Sequence, residues 1–169
     1  MSPGHELSLE RLLPWLKDKM CEFSGQPRVT QYSGGVSNWT YCLSFDNHEM
    51  ILRRAPDGTK AKGAHDMQRE HDLQRDLKPV FTAVPAVYGY CPDSSLIGSD
   101  FYVMEKLVGI IPRRNMPRDV NLNSGQVEQL CKNAIDTLIA LHSVDYNAAG
   151  LAHIGKGSGY AERQIHGWI

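Results

Sequence analysis

Apolar residues recur three and four apart from Ser8 to Phe23, at Leu9, Leu12, Leu13, Leu16 and Met20, and this spacing predicts an amphipathic helix. Pro14 falls inside it. It either kinks the helix or starts it afresh as a first-turn proline, with Trp15, Leu16, Met20 and Phe23 as the apolar face; Gly25 and Pro27 then end it. From Arg28 the period becomes two. Val29, Gln31 and Tyr32 lead to a glycine turn, Trp39, Tyr41, Leu43 and Phe45 alternate with Thr40, Cys42 and Ser44, and Met50 to Leu52 continue to Arg53 and Arg54. Asp46-Asn47-His48 supplies a tight turn, so the segments predict an antiparallel meander.

A polar stretch from Pro56 to Gly63 reads as a surface loop and is followed by a helix from about Ala64 to Leu77, closed by Pro79. Its inward stripe is Met67, Glu70, Leu73 and Leu77. A carboxylate on that side is costly unless paired. Glu70 is therefore either paired with Arg53 at the end of the third strand or solvated at the margin of the stripe. Val84 to Tyr90 and Asp100 to Glu105 are two further extended segments. Lys106 to Gly109 reads as a connector and Pro112 to Asp119 as a polar loop. A helix capped by Ser124 runs to about Val144, with Val127, Leu130, Cys131, Ala134, Leu138 and Leu141 on its apolar face. The chain divides into an N-terminal helical segment (1–27), a strand-rich lobe (28–107) and the start of a helical lobe (108–169).

Composition narrows the function classes. With 169 residues and 41% hydrophobic content, the chain suits one domain or two small lobes. Its 18 basic and 19 acidic residues leave a net charge of −1, which offers no basic surface for nucleic acid. No apolar run approaches the roughly 18 residues of a membrane span, and Met1-Ser-Pro-Gly-His-Glu lacks the basic and apolar regions of a signal peptide, so a cytoplasmic protein is expected. Cys21, Cys42, Cys91 and Cys131 form no Cys-x-x-Cys pair and are expected to be buried free thiols. The histidines form no His-x-x-x-His pair, so a helical metal site has no support.

The chemistry-bearing candidate is the turn Ser33-Gly-Gly-Val-Ser-Asn38. Adjacent glycines admit positive φ, and small side chains let backbone N–H groups approach an anion, as a phosphate requires. Gly150-Leu-Ala-His-Ile-Gly-Lys156 has the spacing of a Walker phosphate loop, but Gly157 stands where Ser or Thr is required and a helix end precedes it. A flexible loop is the better reading. His142 closes a long apolar helix and reads as a hydrogen-bonded helix-terminal or core histidine. Arg113, Arg114 and Arg118 read as a solvated loop that could meet an anionic substrate.

Taken together, Tyr32-Ser-Gly-Gly-Val-Ser-Asn38, Ile51-Leu-Arg-Arg54, Arg69-Glu70, Val84-Pro85, Phe101-Tyr-Val-Met-Glu105, Leu141-His-Ser-Val-Asp145 and Tyr160 with Arg163-Gln164 resemble, in order and spacing, the aminoglycoside and choline kinase-like phosphotransferases. These share the protein-kinase fold. The resemblance is closer still to the phosphotransferase domains found alone in bacteria and fused to acyl-CoA dehydrogenases in animals. It implies an α+β protein-kinase-like N-lobe, with an antiparallel five-stranded sheet and one main helix, plus the first helix of a helical C-lobe. It also implies ATP with Mg²⁺ as cofactors and a small-molecule hydroxyl as acceptor. Ser33, Gly34, Gly35, Ser37 and Asn38 would cover the phosphates with backbone N–H groups. Arg53 stands where the family has its strand-three lysine, and a guanidinium can bridge phosphate and Glu70. Glu70 would hold that cation, Met104 would lie behind the adenine, and backbone groups of Glu105 and Leu107 would bind the base.

The family's His-Gly-Asp-x-x-x-x-Asn catalytic loop and its later magnesium-binding aspartate are absent from the 169 residues. His166-Gly167 is followed by Trp168-Ile169 instead. The expectation is therefore the nucleotide-binding half of a small-molecule kinase, a fragment inactive alone, with the metal ligands beyond it. The alternative is a nucleotide-binding or partner-binding module without transfer activity. The exposed C-lobe helix is expected to promote self-association.

Overall fold

The computed structural model describes residues 7–20, 23–32, 38–56, 65–111, 115–117, 120–155 and 157–168. Its elements are α1 (Leu9–Lys19), β1 (Arg28–Gln31), β2 (Trp39–Ser44), β3 (Glu49–Arg54), α2 (Met67–Leu77), β4 (Val87–Cys91), β5 (Phe101–Glu105), α3 (Ser124–His142), a 3-10 turn at Leu151–His153, and α4 (Tyr160–Trp168). The strands form one antiparallel five-stranded sheet in the order β1-β2-β3-β5-β4, so the expected meander is present and β5 inserts between β3 and β4. Contacts divide the chain into two compact units, one of residues 1–75 and 85–106, the other of 76–84 and 107–169.

In the first unit, strand alternation sends Tyr41, Leu43, Met50, Leu52, Phe101 and Val103 to one face, where they pack with Leu12 and Leu16 of α1. Trp15 meets Phe101 edge-on at 4.9 Å between ring centroids. A register shift at Val87/Gly89 and the missing Cβ of Gly89 make room for Trp15: a Cβ there would lie 3.3 Å from the indole. Pro14 sits within a continuous helix on its exposed side, so α1 neither stops nor restarts there. The opposite face carries Tyr102, Met104, Val87 and Tyr90, with Met67 of α2 and Ala55 against them.

In the second unit, α3 begins one residue earlier in its capping than expected. Asn123, not Ser124, is the N-cap, because its side chain accepts from the Gln126 N–H while the Gln126 side chain accepts from the Asn123 N–H. No residue of α3 is buried. Cys131 is accordingly exposed, against expectation, whereas Cys42 and Cys91 are buried thiols. Leu77 and Leu151 are buried, and His153 Nε2 approaches Asp76 at 3.8 Å. Helix α4 is an element that the glycine-rich run before it conceals in the sequence. Among the described residues, no helix is long and apolar enough to cross a membrane.

Candidate functional site

Alternation along β3 separates its last two arginines. Arg54 turns to the α1 face, where it is buried over the Trp39 ring and donates from Nη1 to the Ile97 carbonyl at 2.6 Å. Arg53 turns to the α2 face, level with Thr40 on β2 and Tyr102 on β5. Met67 pins the first turn of α2 to that face, so Glu70, one turn on, overhangs Arg53. Glu70 Oε2 lies 3.2 Å from Arg53 Nη2, both side chains being about a third exposed. The paired alternative for Glu70 is the one adopted.

Glu70 has further partners. Asn38 Nδ2 donates to its Oε1 at 2.8 Å, and the Tyr102 hydroxyl donates to its Oε2 at 3.1 Å. The Tyr102 hydroxyl in turn accepts from Gln74 Nε2 at 3.0 Å. Burial, only partly offset by the Arg53 charge, pushes the Tyr102 phenol up to about 12, which keeps it a donor. Because the Asn38 amide nitrogen is committed to a carboxylate, its oxygen faces His65, and His65 Nδ1 must donate across their 2.7 Å contact. His65 holds a φ of 59°, a left-handed conformation costing a non-glycine residue about 1 kcal/mol, and this turns the chain into α2. Beside it, His65, Asp66, Arg69, Glu70 and Leu73 line an open groove of about 220 Å³. Leu73, expected on the inward stripe, is exposed because it borders this groove.

Toward the end of β5, Met104 pairs with Ile51, which pairs with Cys42, so the three share one row next to that of Arg53. The Glu105 backbone N–H donates to the Ala86 carbonyl at 2.8 Å, and its side chain accepts from the Ala86 N–H at 2.9 Å. Lys106, which the sequence offered only as connector, forms an ion pair with Glu49 that joins the end of β5 to the start of β3. Its ammonium and the Ser44 hydroxyl hold the Glu49 carboxyl below its usual range. Leu107 belongs to the second unit and is exposed.

The structure thus brings Asn38, Arg53 and Glu70 together, and sets Met104 and Glu105 farther along the same sheet. Ser33, Gly34, Gly35 and Ser37, together with Arg113, Arg114 and Arg118, lie outside the described residues. The near-Walker segment opens on a turn at Gly150 and passes into the 3-10 turn, with no strand before it. Tyr102, Gln74 and His65 are the participants that sequence reading missed. Tyr102 had a usable signal, since it stands two residues before Met104 and therefore on the same face.

A five-stranded antiparallel sheet whose third strand sends an arginine to a glutamate of the following helix defines a kinase-like phosphotransferase fold. A solved structure from Ralstonia eutropha JMP134, provisionally named an aminoglycoside phosphotransferase, superposes with a TM-score of 0.73 at 27% identity, over 96% of this chain and 46% of its own. Residues 28–169 match the phosphotransferase enzyme family, and the chain belongs to it. Acyl-CoA dehydrogenase family member 11 of Rattus norvegicus is 33% identical over 98% of this chain and 22% of its own length. Acyl-CoA dehydrogenase family member 10 of Mus musculus is 34% identical over 86% of this chain and 13% of its own. The chain therefore spans about a fifth or less of the curated relatives named here.

Proposed function

We propose that this chain holds the phosphate donor of an ATP-dependent phosphotransferase that moves the γ-phosphoryl to a hydroxyl of a small molecule. The observation that carries the reading is Arg53, anchored to Glu70 through Nη2 while its side chain stays about a third exposed. A guanidinium so held keeps its remaining terminal N–H groups available to phosphate oxygens. Backbone N–H groups of Ser33, Gly34, Gly35 and Ser37 would cover the phosphates, with Asn38 closing the turn. Met104 would back the base, and Glu105 and Leu107 would meet its edge. ATP supplies the transferable phosphoryl group when bound.

No group of three or more His, Cys, Asp or Glu that could hold a metal ion occurs among the described residues, so no step is assigned to Mg²⁺ here. A second reading is nucleotide or partner binding without transfer, which the Asn38, Glu70 and Arg53 arrangement would serve equally. Reading the coding DNA beyond Ile169 separates the two, since a His-Gly-Asp-x-x-x-x-Asn loop in frame supports transfer and a stop codon supports binding alone. Thermal denaturation with and without Mg-ATP tests nucleotide binding. ATP should raise the midpoint, and Arg53→Ala should diminish the rise. An unliganded and an ATP-saturated chain melting together would overturn nucleotide binding in either reading and leave only partner binding.

A further inference from the structure

We infer that Asn38 and Tyr102 are positioning residues that act on the phosphate donor through Glu70 and Arg53; the inference rests on the donor-binding reading above. An arginine–glutamate pair this exposed is weak by itself, because water screens it and both side chains are flexible. Here the carboxylate is gripped from two sides besides Arg53. Asn38 reaches Oε1 from the residue before β2, Tyr102 reaches Oε2 from β5, and α2 carries Glu70 between them.

The hydrogen bonds also have a consistent direction. One chain runs from Gln74 through Tyr102 to Glu70, the other from His65 through Asn38 to Glu70. Each chain ends by donating to the carboxylate, so both oxygens are fixed before Arg53 is counted. Arg53 then meets a stationary anion and is held by Nη2, which sets the direction of its remaining terminal N–H groups. Asn38 also directly follows the glycine turn in the chain, so one residue links the end of that turn to the cation. The Tyr102 ring is packed with Ala55 and Met67, whereas its hydroxyl is committed to the network. Packing and positioning can therefore be separated by removing the oxygen alone.

The test is calorimetric titration of the 169-residue chain and its Tyr102→Phe and Asn38→Ala variants with Mg-ATP, and with adenosine by competition. Each variant is expected to bind ATP roughly tenfold more weakly, the usual scale for losing a hydrogen bond to a charged group, and adenosine about as before. In an Arg53→Ala background neither substitution should weaken ATP binding further, because the residue through which they act is gone. Equal losses for ATP and adenosine, unchanged ATP affinity, or full additivity with Arg53→Ala would each overturn the inference while leaving donor binding intact. A wild-type chain that binds no ATP overturns the donor reading and this inference with it. Should Asn38→Ala fail to fold, Tyr102→Phe decides the matter, since its ring packing is preserved.

Discussion

Arg53 and Arg54 are neighbours in sequence and differ in almost everything else. Arg54 is buried against Trp39 and Ile97, so Arg54→Ala should remove packing and leave the Ile97 carbonyl without its donor, at a cost of about 3 kcal/mol by urea denaturation. The ATP-dependent rise in melting midpoint should survive in molecules that still fold. Arg53→Ala should give the converse, little lost stability and a diminished response to ATP. Tyrosines set a pH dependence at the same scale. Burial raises both Tyr102 and Tyr90 from an ordinary value of 10.0 to about 12, and nearby Asp100 adds to the shift at Tyr90. The unfolded chain then releases these protons first. Their contribution is fully present below pH 10 and should be lost as pH rises through 12, most directly seen as late-titrating tyrosinate absorbance alongside falling stability. Tyr102→Phe should remove one late-titrating group. Arg53 and Glu70 were only half legible: a carboxylate on a helix's apolar side invites a charged partner, but a solvated Glu70 at the margin of the stripe fitted the pattern equally. His65 was not legible, since the helix expected from about Ala64 placed it inside a regular turn, whereas α2 starts at Met67 and His65 is a left-handed residue aimed at Asn38.

Elements were legible where periodicity was strong and blurred where chemistry intervened. The three-strand meander follows from alternation, whereas the place of β5 between β3 and β4 is a long-range pairing that no local pattern specifies. The N-cap of α3 shifted to Asn123 because the reciprocal bond with Gln126 outweighs the choice of a nearby serine. Pro14 was ambiguous because sequence does not reveal whether a helix tolerates a missing N–H. With Pro14 exposed inside α1, Pro14→Ala should restore a hydrogen bond to the Glu10 carbonyl and stabilise the chain by about 1 kcal/mol or more. Leu16→Ala on the buried side of the same helix should cost about 2–5 kcal/mol. Denaturant titration of the two variants checks both, and a stabilising Leu16→Ala would contradict the packing of α1 on the sheet.

On the scale of the molecule, apolar surface is distributed unevenly between the two units. The first encloses its core beneath α1, whereas α3 leaves Val127, Leu130, Ile135, Leu138, Ile139 and Leu141 exposed. We expect the 169-residue chain to self-associate through this helix, with sedimentation velocity showing a concentration-dependent rise that Leu138→Glu with Ile139→Lys reduces. A monomer at every concentration would count against it. The position of α1 has a consequence for where this protein can be cut. The family match begins at residue 28, yet Leu12 and Leu16, which seal the sheet's apolar face, lie before it. The segment that matches the family and the unit that folds therefore have different borders. A version trimmed to the matched segment would keep every strand and the Arg53–Glu70 pair, and would lose the helix that closes one side of the sheet they depend on.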